Sequence, residues 1–412
     1  MVKYDLGIVG GGPAGYTAAF RAAKQGKKVI LFEKDEVGGV CLNKGCIPTK
    51  TILHSSEIYK TAKNSADFGI NIDNATVDYN KVKEHKNFIV ERLRKGLELA
   101  FKNSKIELVK EKAVIISNTE IEARGEIYSC SKIICATGSS PRVIKGLEFD
   151  HEFLLSSDDV LELNNLPQSI LIIGSGAIGI EWARIFNNFG VETVVVELAS
   201  NLLPLADNEV SKRLERIFKS EGINFYTNTF VEKVSDRKVF LSNGEEITPE
   251  KVLVAAGRVP NDTEKVVGVE YIGDTAGEVQ LAHYAIKQAY QEIEKIDFRK
   301  DLTPSVVYGI PEIAWVGKRE QDLGGQDYKK STVLVSSLGK AQCDGETEGF
   351  IKILTQKDKI VGAHIVSAEA SALVQQIVIA MQFGITSEQL KEVCFSHPTY
   401  SEGIFEALFR LK

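Results

Sequence analysis

A chain of 412 residues is long enough for two to four domains and more than one buried core. Its composition, 43% hydrophobic and 26% charged, is that of a folded globular protein, and a net charge of −6 gives no electrostatic footprint for nucleic acid or an anionic membrane. No run of 18 apolar residues occurs and the six cysteines are too sparse for a secreted disulfide scaffold, so a cytoplasmic setting is expected and any specially spaced cysteine pair is a candidate for chemistry.

The opening residues through Val9 read as a strand, leaving no room for a signal peptide or a preceding lipoyl domain. Tyr4 to Val9 leads into Gly10-x-Gly12-x-x-Gly15, a helix through about Gln25, and a strand from Lys28 to Phe32 that ends in Glu33. The unit repeats: Ser169 to Ile173, then Gly174-x-Gly176-x-x-Gly179, a helix through about Phe189, and a strand from Thr193 to Val196 ending in Glu197. In both copies the acid follows the first glycine by 23 positions. Such a βαβ unit binds a dinucleotide: the glycines permit a tight turn, backbone approach to a pyrophosphate and close helix–strand packing, and the acid meets a ribose hydroxyl. Each half also carries an alanine-glycine strand end, Ala136-Thr137-Gly138 and Ala255-Ala256-Gly257, where missing side chains let a cofactor pass close. Two dinucleotides are therefore expected. Glu197 is followed by Leu198-Ala199-Ser200-Asn201, with no arginine for a 2′-phosphate, which favours NAD over NADP at the second site; Glu33 suits FAD or NAD equally.

Just beyond Glu33, Gly38-Gly39 precedes Cys41-Leu42-Asn43-Lys44-Gly45-Cys46. Lys44, Lys50 and a helix starting near Cys46 or Pro48 would stabilise a thiolate, most directly at Cys46. Three readings stand at this point: a redox pair, two unpaired core thiols, or a zinc site, for which only His54 is close enough to add a ligand. No metal is expected. Cys130, Cys135, Cys343 and Cys394 read as packing residues.

Toward the end of the chain, Thr332 to Ser336, Phe350 to Leu354 and Ile360 to Val366 read as strands, and Leu373 to Phe383 as a helix apolar broadly enough for an interface. His397 precedes a proline and is held out of helix. Thr399-x-x-Glu402 fits a helix capping box with Thr399 as the cap. A competing reading pairs Glu402 with His397, because a base of near-neutral pKa needs a carboxylate to fix its tautomer.

The stretch from Gly38 to Lys50, set between two dinucleotide fingerprints, resembles the active-site signature of the pyridine nucleotide–disulfide oxidoreductases. The resemblance runs nearly end to end, through Ala136 to Arg142, Ala256 to Asn261, Ile272-Gly273-Asp274, Leu281-Ala282-His283 and His397 to Glu402. It implies an α/β fold with two Rossmann-like dinucleotide-binding domains and a C-terminal α+β dimerisation domain. The expected divisions are 1–145 for FAD, 146–262 for NAD, a shortened central segment at 263–300, and 301–412 for dimerisation. FAD would be held by Gly10, Gly12, Gly15, Glu33, Lys50, Thr137, Gly138, Asp274 and Ala282, and NAD by Gly174, Gly176, Gly179, Glu197 and Gly257. Cys46 would be the flavin-side thiolate and Cys41 the exchange thiol. Lys50 would pair with Glu181 beside the flavin, where the residues alone suggest only a surface cation and a surface anion.

His397 and Glu402 would serve the neighbouring subunit's cysteines, making the enzyme a homodimer. The implied reaction oxidises a dithiol, protein-bound dihydrolipoamide, and reduces NAD⁺, in contact with lipoyl domains and the acyltransferase core of a 2-oxoacid dehydrogenase or glycine cleavage complex. Alternatives are an NAD(P)H-dependent reductase of a soluble disulfide such as glutathione, and a non-catalytic flavin- or NAD-binding redox subunit. The chain departs from the family pattern in three places. Only 11 residues separate Asn261 from Gly273, where relatives carry a longer strand-rich segment. Phe230 to Glu246 is short enough to suggest a missing hairpin, and Phe395 stands where many relatives have a second histidine.

Overall fold

The computed structural model describes residues 3–261 and 264–412. The first two residues of the opening strand and the expected division at 262/263 lie outside the described residues. The first half is built on a parallel sheet in the spatial order Glu270–Tyr271, Ile133–Cys135, Leu6–Val9, Val29–Phe32, Glu107–Val109. Its three central strands are buried throughout, as a parallel sheet covered on both faces requires. The helices of this half are α1 (Pro13–Lys24), the short α2 (Gly39–Asn43), α3 (Cys46–Lys63) and α4 (Tyr79–Asn103).

The run Tyr4 to Val9, expected as one strand, is divided. Lys3–Tyr4 joins Glu126–Cys130 in a separate sheet, while Leu6–Val9 enters the parallel one. Asp5 makes the switch: its amide donates to the Lys28 carbonyl, and its carboxylate accepts the Lys28 amide at 2.7 Å.

The second half repeats the plan, with Leu154–Leu155, Lys251–Val254, Ser169–Ile173, Glu192–Val196 and Asn224–Tyr226 side by side in parallel, followed on the chain by α5 (Ala177–Asn188) and α6 (Asn208–Glu221). The expectation of a missing hairpin is corrected. Val231–Ser235, Lys238–Leu241 and Glu246–Ile247 form a compact antiparallel sheet, closed by a two-residue turn in which Asp236 and Arg237 have φ of 52° and 60°. That is the conformation a tight hairpin turn demands; without the usual Asn-Gly signal, the turn was not legible.

Two features join the halves. Ser139–Pro141 pairs antiparallel with Arg258–Pro260, one strand from each half. The 11-residue segment after Asn261 then returns at Glu270–Tyr271 to the edge of the first sheet, beside Ile134 and Cys135, and leads to α7 (Ala282–Glu294), which packs on α1.

The C-terminal sheet is antiparallel, in the order Ser305–Val307, Glu312–Gly317, Lys359–Ser367, Phe350–Gln356, Lys329–Leu334. With it go α8 (Gly339–Asp344), α9 (Ala370–Phe383), α10 (Ser387–Lys391) and α11 (Glu402–Phe409). Much of the apolar surface of α9 lies against its own sheet, since Leu373, Val374, Ile377 and Met381 are buried with Ile351, Ile353 and Ile365; only Ile379 and Phe383 face outward. Each fully buried aliphatic side chain of this kind contributes roughly 1.5–3 kcal/mol. The C-terminal sheet is also tied to the second half by a buried ion cluster. Lys352 is 1% exposed and bonds Asp207 at 2.8 Å and Glu320 at 2.5 Å, while Asp207 caps the N-terminus of α6.

A further core cluster runs through all three parts: Ile52 and Leu53 of α3, Trp182 and Phe186 of α5, and Val307, Ile313 and Phe350 of the C-terminal sheet. This packing brings α3 against α5.

Candidate active site

The two fingerprints are superimposable in their chemistry. Gly10 and Gly174 have φ of 104° and 100°, and a Cβ on either would strike a carbonyl of the neighbouring strand end, that of Ala136 or Ala255. A Cβ on Gly15 or Gly179 would run into the carbonyl oxygen of Gly10 or Gly174. The third glycine therefore clears its own turn as well as the helix–strand contact. Glu33 accepts from the Gly11 amide at 2.7 Å and the Asp35 amide at 2.9 Å; Glu197 accepts from the Ser175 amide at 2.8 Å and the Ala199 amide at 2.8 Å.

Gly12 and Gly176 cap α1 and α5 without any side-chain hydrogen bond, and neither helix has an acid in its first turn. Their leading amides thus suit a pyrophosphate, and the donor sets fit a dinucleotide in each half. Asp274 accepts from the Ser139 hydroxyl at 2.6 Å, and Ser139 in turn accepts from Arg258 Nε at 2.8 Å, so the joined strands brace it. Thr137 meets Thr275 at 3.1 Å, and Ala282 opens α7, whose N-cap, Leu281, has no side-chain bond.

Cys41 sits on α2 and Cys46 is the first residue of α3, with Lys44 and Gly45 turning the chain between them. Both thiols are free, and hydrogen bonding between them splits their acidities. The bond from Cys41 brings Cys46 down to about 7 against the effect of burial, with help from Lys50. Cys41 is pushed well above the ordinary thiol range, first by that same bond and then by burial. Tyr16 lies near both sulfurs, with its hydroxyl raised chiefly by burial.

One turn after Cys46, Lys50 Nζ bonds Glu181 Oε2 at 2.6 Å, so the two charges stand together at the α3–α5 contact rather than apart on the surface. Glu181 is 3% exposed, and its second oxygen accepts the Tyr308 amide at 3.1 Å, while the Tyr308 ring faces Lys50 Nζ at 4.8 Å. Tyr308, Ser139 and Arg258 were not singled out in the sequence. The last two lay inside recognised motifs, but nothing local to Tyr308 signals that it meets Lys50.

His397 Nδ1 lies 2.8 Å from Glu402 Oε1, and Glu402 Oε2 accepts the Thr399 amide at 2.9 Å. The pairing of Glu402 with His397 forms, whereas the capping-box reading is corrected: Glu402 reaches the Thr399 amide, but Thr399 is not the helix cap. The other half of the capping box does not form, because the Thr399 hydroxyl donates to the Ser396 carbonyl and Ser401 is the cap. The bond to His397 is the main cause holding the Glu402 carboxyl below its ordinary value. The His397 side chain is 76% exposed, and among the described residues no hydrogen bond or ion pair links it to Cys41 or Cys46. His54 lies 3.8 Å from Glu57, and among the described residues no group of three His, Cys, Asp or Glu side chains is arranged to hold a metal ion.

Two dinucleotide cradles, a dithiol of split acidity behind the first, and an antiparallel C-terminal sheet define a two-cofactor disulfide oxidoreductase. Residues 4–285 match the model of the pyridine nucleotide-disulphide oxidoreductases, and residues 303–408 match that family's dimerisation domain. The chain belongs to this family: it is an oxidoreductase using FAD and NAD(H). It is 34% identical to the dihydrolipoyl dehydrogenase of Bacillus subtilis over 460 aligned positions, covering 98% of this chain and 97% of that protein. It is 35% identical to the mitochondrial dihydrolipoyl dehydrogenase of Pisum sativum, covering 98% and 90%. In fold it is similar to LpdA from Mycobacterium tuberculosis, with a TM-score of 0.90 at 22% identity over 100% of this chain and 99% of that one. It is similar too to the flavoprotein disulfide reductase RclA from Escherichia coli, with a TM-score of 0.88 at 24% identity over 99% and 100%. An aligned span of 460 positions exceeds the 412 residues of the chain, so at least 48 positions in the Bacillus subtilis alignment have no counterpart here. The shortening is therefore internal to the aligned span.

Proposed function

We propose that the enzyme is a dihydrolipoyl dehydrogenase, oxidising protein-bound dihydrolipoamide to the disulfide and reducing NAD⁺ to NADH as a homodimer in the cytoplasm. The observation that carries this reading is the placement of Cys41 and Cys46 on a turn whose Gly39 Cα lies 3.7 Å from where a Gly12 Cβ would be, at the fingerprint of the first half, with Lys50 and Glu181 paired one turn beyond. Relatives named dihydrolipoyl dehydrogenase, matched over nearly the whole chain, support the choice of substrate.

In the forward direction, His397 of the partner subunit removes a proton from one substrate thiol, with Glu402 holding its Nδ1 side so that Nε2 is the base. The substrate thiolate attacks Cys41 Sγ of the enzyme disulfide, forming a mixed disulfide and releasing Cys46 as a thiolate. The second substrate sulfur then attacks the first, closing the product disulfide and releasing Cys41 with its bonding electrons; Cys41, the weaker acid, takes up the proton. A flavin held by the first-half cradle would supply two-electron transfer between the Cys46 side and a nicotinamide held by the second. Lys50, fixed by Glu181 and Tyr308, supplies positive charge on the Cys46 side. The leading amides of α1 and α5 would hold pyrophosphates, and Glu33 and Glu197 would orient riboses. A lipoyl domain on an acyltransferase core of a 2-oxoacid dehydrogenase or glycine cleavage complex would present the dithiol.

Purified protein tests the reading. It should be yellow, develop long-wavelength thiolate–flavin absorbance on anaerobic addition of NADH, and reduce NAD⁺ with dihydrolipoamide well ahead of NADP⁺. Cys41→Ser should abolish that turnover while keeping absorbance from the Cys46 thiolate. A colourless protein, or unchanged turnover in Cys41→Ser, would overturn the reading.

A further inference from the structure

Arg184 lies on α5 three residues after Glu181, and is 3% exposed. One guanidinium nitrogen, NH1, donates to the Pro311 carbonyl, and among the described residues Nε and NH2 have no hydrogen-bond partner. A buried guanidinium with so few of its donors engaged is costly, so its place calls for a reason. Burial depresses its pKa, and the carboxylates of Glu221, Glu57 and Glu181 oppose that effect.

Arg184 lies against the segment from Tyr308 to Pro311, which returns from the first strand of the C-terminal sheet to the second. Tyr308 gives its amide to Glu181 and turns its ring to Lys50. Between Tyr308 and the Pro311 carbonyl stands Gly309, with φ of +136°. A Cβ there would collide with Arg184 NH1 and come 2.7 Å from its Cδ. A flexible side chain could normally swing away from such a contact, but Arg184 is enclosed and tied at Pro311. An arginine at 184 and a side chain at 309 therefore exclude one another.

We propose that Arg184 and Gly309 form a matched pair that pins the Tyr308–Pro311 segment onto α5, making Arg184 a positioning residue for the Glu181–Lys50 pair. The segment is held to one helix at two points a single turn apart, by Glu181 at Tyr308 and by Arg184 at Pro311. Loss of the second point frees Tyr308, and with it the amide N–H that fixes the Glu181 rotamer. The inference rests on the reading of Lys50 as the cation beside the flavin.

The test uses the flavin-loaded full chain carrying Gly309→Ala, Arg184→Ser, or both. Two signals are read: long-wavelength absorbance per flavin after anaerobic NADH, and amide hydrogen exchange at Tyr308. Gly309→Ala is expected to lower the absorbance about fivefold in the parent but only about twofold further in the Arg184→Ser background, where the backbone strain at φ of +136° remains and the collision with Arg184 is gone. Either single substitution should speed Tyr308 exchange about tenfold or more, since the opened segment no longer protects that amide. Failure of Gly309→Ala to fold in the parent, relieved by Arg184→Ser, is the same coupling at its extreme. Should Arg184→Ser not hold flavin, Arg184→Lys replaces it, keeping the cation but losing the planar group that reaches Pro311. Equal loss from Gly309→Ala in both backgrounds, or unchanged Tyr308 exchange in the Arg184 variant, overturns the pairing. Lys50→Met separates the two levels of the argument: unchanged absorbance there would sink the placement of Lys50 by the flavin, while the exchange result would still decide the pairing.

Discussion

The two dinucleotide halves share the order of four strands, the glycine conformations and the carboxylate–amide bonds behind them, yet they differ in enclosure. In the first half, a Cβ on Gly12 would sit 3.7 Å from Gly39 Cα, and Glu33 is 8% exposed. The Gly38–Cys46 turn closes over this cradle. In the second half, a Cβ on Gly176 would meet nothing within 4 Å, and Glu197 is only partly buried. One backbone plan thus yields a walled site suited to a resident cofactor and an open one suited to a cofactor that must leave each cycle. What differs is the chain placed after the acid: a cysteine turn and α3 in the first half, a loop from Leu198 to Asp207 in the second that leaves Gly176 open.

The third glycines should give the largest effects. Gly15→Ala and Gly179→Ala both drive a methyl group into a backbone carbonyl, and overpacking of this kind costs about 1–3 kcal/mol or more. Gly15→Ala is expected to yield protein without flavin and with a lowered melting temperature. Gly179→Ala should keep its flavin but lose NAD-linked turnover by about a hundredfold or more. A yellow, normally melting Gly15→Ala protein would break the equivalence between the halves.

Next in size is the contrast at the second glycines. Gly176→Ala should leave the melting curve within about 0.5 kcal/mol of the parent, since the space there is open, while raising the KM for NAD⁺ about tenfold. Gly12→Ala should instead lower flavin occupancy, read as the flavin-to-protein absorbance ratio.

The acidity of the dithiol gives a pH signature confined to the walled site. In the reduced enzyme Cys46 carries its proton below about pH 7 and loses it above, so its alkylation rate should rise through that region while Cys41 stays unreactive. Lys50→Met removes a cation that favours the thiolate and should move the midpoint upward; no movement would show that the split arises from the Cys41 bond alone. The smallest effect is expected at the hairpin of the open half, where replacing Asp236-Arg237 by Asn-Gly should stabilise by up to about 1 kcal/mol without altering flavin content.

Much of this was legible because the sequence repeats itself. Gly10, Gly12 and Gly15 with Glu33, and Gly174, Gly176 and Gly179 with Glu197, impose local backbone demands that few other residues can meet, and the 23-residue spacing carries across both units. The meeting of Lys50 and Glu181 came from family resemblance, since residues 131 apart share no local signal. Tyr308, Ser139 and Arg184 take their roles from partners on distant elements, so pattern reading passes over them. The split at Asp5 and the Asp236–Arg237 turn were missed for a different reason: each depends on a single residue or dipeptide overriding an otherwise uniform pattern. Glu402 shows a third case: the pairing with His397 formed, while the capping box failed because the helix starts two residues later than its motif suggests, with Ser401 as the cap.

The antiparallel pairing of Ser139–Pro141 with Arg258–Pro260 bears on how such a chain can change over evolutionary time. It sits just after both alanine-glycine strand ends, so three paired residues on each side, together with the α3–α5 packing, hold the two cradles in place. Length outside that clasp is then free to drift. The segment from Asn261 to Gly273 leaves directly from it and re-enters the first sheet at Glu270, so its two anchorages are specified whatever their contour length. A change of chain length there would leave the register of that pairing alone.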